Sequence, residues 1–148
     1  MKRDKTMGEI RSEEGYAENT VVYMNSSLSI WYNKILSKSL PELADGDVAK
    51  LIRQELHLNY VIDEAVSRLW ENPVSGEKYD GELINSLNEI DDSFWLNHSD
   101  IKNKVAELID AIKSSEIDFP DDFEWLYDGA EEEYFETLEI LLRKLSTL

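Results

Sequence analysis

Six stretches of this chain repeat apolar residues at intervals of three and four, and no stretch sustains an alternation of two. That period gives each stretch one apolar stripe, which a helix can bury and a strand cannot. The first stripe is Leu28, Trp31, Tyr32, Ile35 and Leu36, ended by Pro41. Asp45-Gly46-Asp47 then supplies a turn with a helix N-cap before Val48, Leu51, Ile52 and Leu56. A break at His57–Asn59 precedes Val61, Ile62, Ala65, Val66, Leu69 and Trp70, and Asn72-Pro73 stops that helix. Asp80 is the expected cap for Leu83, Ile84, Leu87 and Ile90. Ser99 or Asp100 caps Ile101, Val105, Leu108, Ile109 and Ile112, which Ser114–Pro120 breaks. The last helix runs from about Gly129 to Ser146 with Tyr134, Phe135, Leu138, Leu141, Leu142 and Leu145 inward, after a short helical turn at Phe123–Tyr127. Asn19–Ser26 is the one candidate strand. The expected fold is all-α, a single compact domain of about six to eight helices over residues 21–148, behind a mobile polar segment at 1–20.

Charge is distributed unevenly over these helices. Residues 1–70 carry 11 acids and 9 bases, whereas residues 71–148 carry 21 acids and 6 bases. Between Glu116 and Glu139 stand eleven carboxylates and no lysine or arginine, within a net charge of −17. Like charges repel, so such a field costs stability and points outward to a basic partner. It also argues against nucleic acid as a ligand, because phosphate contacts need cations. Hydrophobic residues make up 42% of the chain and include four Trp and seven Tyr, which separates it from a disordered acidic tail.

Several chemistries lack their residues. There is no cysteine, hence no disulfide, thiolate metal site or cysteine nucleophile. The acids do not form a calcium loop: from Asp118, phenylalanine stands where the glycine belongs, and from Glu124, Leu126 occupies a ligand position. The chain has two histidines, and no G-x-S-x-G elbow, H-E-x-x-H pair or phosphate-cradling glycine loop. His57 reads as a cation at a helix C-terminus and His98 as solvated in a polar break. No catalytic residue, metal or cofactor is expected. No apolar run reaches a membrane-spanning length, and Met1–Glu14 lacks the apolar centre of a signal peptide, so a cytoplasmic protein is expected.

The aromatics divide into two groups. Trp31, Trp70 and Trp95 lie on or beside apolar stripes and read as core. Trp125 and Tyr127 sit between Glu124 and Asp128, and aromatics ringed by charge have the composition of a binding hot spot. Their plainer role is to pack under their own loop. The acids also have a plain role: Asp128, Glu131, Glu132 and Glu133 crowd a helix N-terminus, where each gains roughly 0.3–1 kcal/mol from the dipole. That accounts for neither Asp118, Asp121, Asp122 and Glu124 nor Glu136 and Glu139. The expected binding surface is therefore Asp118, Asp121, Asp122, Glu124, Trp125, Tyr127, Asp128, Glu132, Glu136 and Glu139.

One block resembles a known family. Leu40-Pro41-Glu42-Leu43, the helix from Asp47 through Arg53 and Gln54, and Gly76-Glu77-Lys78-Tyr79-Asp80-Gly81-Glu82-Leu83 with Phe94-Trp95 look like the helical immunity proteins of bacterial contact-dependent growth inhibition (CDI) systems. The resemblance spans residues 40–95, and residues 1–27 and the acidic third fall outside it. It implies a non-catalytic inhibitor that binds a delivered toxin domain one to one, with neither nucleic acid nor membrane as partner. A basic nuclease toxin, here expected to be a ribonuclease, needs a cationic cleft to hold phosphates and would suit an acidic inhibitor. The alternative is an acidic nucleic-acid mimic or adaptor for another basic host protein. Within the block, Asp47, Arg53, Gln54, Gly76, Glu77, Tyr79, Asp80, Gly81 and Glu82 read as scaffold, with Glu77 paired to Arg53 and Asp80 starting the next helix.

Overall fold

A computed structural model describes residues 4–15 and 26–148. Among them are eight α-helices and no strand, so the fold is all-α. The strand considered at Asn19–Ser26 lies, but for its last residue, outside the described residues. The chain divides into two compact units, Met1–Ala44 and Asp45–Leu148.

The first unit contains α1 (Met7–Glu13), α2 (Ser27–Ile35) and a 3-10 turn at Leu40–Glu42. Periodicity places no element at α1; a capping box does. Thr6 Oγ1 accepts from the Glu9 N–H at 3.1 Å, and the Glu9 carboxylate accepts from the Thr6 N–H at 3.3 Å. Met7 and Ile10 are buried, and the Met7 and Gly8 N–H groups donate to the Lys38 and Leu36 carbonyls.

The second unit holds α3 (Asp45–Arg53), α4 (Leu58–Glu71), α5 (Glu82–Asn88), α6 (Asp92–Asn97), α7 (Ser99–Lys113) and α8 (Ala130–Ser146). The stripes meet in one core: α3 packs on α4 and α5, α4 on α7, and α5 and α7 on α8. Leu51, Ile52, Ile62, Leu69, Leu83, Ile84, Leu87 and Trp95 are fully buried there. Each such aliphatic side chain contributes roughly 1.5–3 kcal/mol on burial.

Several boundaries differ from the expected ones, each for a local reason. Asp45-Gly46-Asp47 is the first turn of α3 itself, and the Asp45 carboxylate accepts from Arg68 Nη1 at 2.9 Å. The break after α3 comes earlier, at Gln54–His57. Glu55 turns left-handed (φ 53°), and the Leu56 N–H reaches back to the Leu51 carbonyl at 2.9 Å. His57, also left-handed, is buried directly before α4. Helix α6 was too short to show a period; the Asp91 side chain caps it by accepting from the Ser93 N–H at 2.9 Å. His98 is half-buried, with its ring stacked 4.1 Å from Phe94 and its Nδ1 2.8 Å from the Phe94 carbonyl oxygen. Trp70 is 40% exposed and so is not a core residue.

Candidate functional site

The loop from Asn72 to Glu82 is organised by one carboxylate. Glu82, the first residue of α5, is fully buried. Its Oε1 accepts from the Glu77 and Lys78 N–H groups at 2.9 and 3.1 Å, and its Oε2 from Arg53 Nη1 at 3.3 Å. Desolvation pushes its pKa up, but the two backbone N–H groups and the Arg53 guanidinium outweigh it and hold the carboxyl below the usual glutamate range. Arg53 at the end of α3 is thus paired with Glu82, where Glu77 was the expected partner.

The remaining motif residues fit around this bond. A Cβ on Gly76 would overlap the Tyr79 carbonyl oxygen and lie 2.8 Å from Glu82 Cβ, so the loop can close only on glycine. A Cβ on Gly46 would overlap the Glu77 carboxylate, which places that side chain over the first turn of α3. Gly81 occupies the N-cap position of α5 with φ 87°, so the expected cap, Asp80, stands one residue too early and is exposed. Tyr79 is 49% exposed, Gln54 is exposed, and Asp47 sits half-buried in the first turn of α3.

The acidic stretch is built on aromatics. The Phe119 ring lies 5.6–6.2 Å from those of Phe123, Trp125, Tyr134 and Phe135. Phe123 and Trp125 meet edge to face at 4.8 Å. The Tyr134 hydroxyl donates to the Pro73 carbonyl at 2.6 Å, joining this cluster to the motif loop, and burial pushes its pKa well up. The chain at Phe123–Trp125 has no regular secondary structure, in place of the expected helical turn, and the Trp125 ring packs 5.5 Å from that of Tyr134. With the rings inward, ten of the eleven carboxylates are exposed and Glu139 is half-exposed. Asp118, Asp121, Asp122, Glu124 and Asp128 stand on the loop, and Glu132, Glu136 and Glu139 on α8. Glu139 pairs with Lys113 of α7, which lowers its pKa, and Glu133 accepts from the Tyr127 hydroxyl, which raises the tyrosine's.

A groove of about 240 Å³ lies where the two segments meet. Tyr79, Asp80 and Gly81 form one side, and Trp125, Leu126, Tyr127 and Glu133 the other. Tyr127 is 54% and Leu126 83% exposed. Leu126 and the juxtaposition with Tyr79 and Asp80 were missed in the sequence, where a lone leucine among acids carries no period and the two segments stand some 45 residues apart. Among the described residues no group of three or more His, Asp or Glu side chains could hold a metal ion, and no helix is long and apolar enough to cross a membrane.

The model of the CDI immunity proteins matches residues 15–105, more than half of the chain. The chain belongs to that family. The match contains the whole Gly76–Leu83 block and extends beyond the expected resemblance at both ends, taking in residues 15–27. It stops within α7, so the acidic loop and α8 of this immunity protein lie outside the matched segment. No curated protein matches the chain.

Proposed function

We propose that this chain binds and neutralises the toxin domain of its CDI system, a basic nuclease and most simply a ribonuclease, through the acidic surface of residues 118–139. In this reading the protein acts in the cytoplasm without catalysis, cofactor or nucleic-acid contact, and forms a one-to-one complex. The observation that carries it is the division of the chain: the family match ends at residue 105, and beyond it ten of the eleven carboxylates from Glu116 to Glu139 face solvent. A scaffold shared by a family need not distinguish one toxin from another, whereas each inhibitor must reject the toxins of other systems. A field of one sign also accelerates encounter with a cationic partner by orders of magnitude, which suits an inhibitor that must act on a toxin as it arrives.

The test is to reverse charge with Asp121→Lys, Asp122→Lys and Glu124→Lys together. Affinity for the cognate CDI toxin domain is then measured across salt concentrations. Weaker binding with a shallower salt dependence is expected. Unchanged affinity and unchanged salt dependence would remove the acidic face from the interface. Capture of a different basic host protein in place of the toxin would favour the adaptor reading.

A further inference from the structure

We infer that the groove between the motif loop and the acidic loop receives a single arginine side chain of the toxin; this rests on the proposal that the acidic third faces the toxin. The groove differs from the surrounding acidic surface in having walls. Tyr79 and Tyr127, each about half-exposed, line it beside the partly covered Trp125, and Asp80 and Glu133 stand in the same lining, Glu133 accepting from the Tyr127 hydroxyl, with no lysine or arginine among the lining residues. Aromatic faces with carboxylates beside them match a planar guanidinium, which stacks on rings and donates to acids at once. A lysine ammonium satisfies the carboxylates but stacks less well. Leu126, in the same lining and 83% exposed, supplies apolar contact for the residues flanking that arginine. The groove is also firmly made: Gly81 closes against the Tyr134 ring, where a Cβ would come within 3.2 Å, and Tyr134 is held by the Pro73 carbonyl.

The test needs no toxin in its first arm. N-acetyl-arginine amide is titrated into the full chain and followed by amide and indole NMR shifts. Saturable shifts confined to Tyr79, Asp80, Trp125, Leu126, Tyr127 and Glu133 are expected, weaker with the lysine amide and lost with the uncharged citrulline amide. Asp80→Asn and Glu133→Gln should each weaken binding about two- to fivefold, while Glu71→Gln with Asp100→Asn, exposed acids away from the groove lining, leaves it unchanged. Shifts spread over all exposed carboxylates, an equal response to citrulline, or no shift at all would overturn the inference. The second arm measures toxin affinity of the Asp80→Asn/Glu133→Gln variant, expected to fall about tenfold or more. If the amide occupies the groove but toxin affinity does not fall, the arginine is not the toxin's and the inference fails. The charge-reversal result at Asp121, Asp122 and Glu124 decides the broader proposal separately.

Discussion

Glu82 and Asp121 are both carboxylates of the second unit, and they show the two ways in which a folded chain uses a negative charge. Glu82 is enclosed, and two backbone N–H groups and Arg53 compensate the loss of water. Such a group is costly to bury, and once buried it is costly to remove. Asp121, Asp122 and Glu124 remain in water on a loop held down by rings, so they add repulsion and little else to the fold. The enclosed carboxylate belongs to the block that the family model matches, and the open ones lie outside it. The difference separates residues that the fold requires from residues that are free to serve a partner.

The most severe way to break this comparison is Glu82→Ala. It strands Arg53 and two loop N–H groups, and should cost about 3–5 kcal/mol in urea unfolding. Gly76→Ala comes next, at about 1–3 kcal/mol, because the added methyl forces the Tyr79 carbonyl and α5 apart. Tyr134→Phe tests the link between the two regions. Loss of the bond to the Pro73 carbonyl should cost about 1–2 kcal/mol and raise hydrogen exchange in both loops. At the opposite end, Asp121→Asn with Asp122→Asn should raise the melting temperature slightly in dilute buffer and not at all in about 1 M salt. A large loss of stability in that last variant would show that the open acids are structural after all.

Acid sharpens the same contrast. The folded pKa of Glu82 lies below its ordinary value of 4.5, so the unfolded chain takes up the proton first as pH falls. Its contribution is therefore complete above that value and is lost as pH drops through the folded pKa. The stability difference between the native chain and Glu82→Gln should shrink as pH falls below about 4.5, read from urea midpoints at successive pH values. The exposed acids act in the opposite direction, since protonation relieves their repulsion.

Helical period alone located α2, α3, α4, α5, α7 and α8, because an apolar stripe of two or more turns is a local property of the chain. The all-α class follows from those stripes, as does the concentration of acid between Glu116 and Glu139. The short helices α1 and α6 carry no such stripe and were not read from the sequence; only the structure shows them, capped by Thr6 and Asp91. Which acid pairs with Arg53 was not legible: Glu77 and Glu82 are both within reach in sequence, and only the closed loop, with no room for a Cβ at Gly76, turns Glu82 inward. The groove was likewise beyond any local pattern. Its two walls are separated by some 45 residues, and they meet because the Tyr134 side chain of α8 reaches the Pro73 carbonyl. Local sequence determines which elements form and where charge gathers; packing over long separations decides which charges are enclosed and which face a partner.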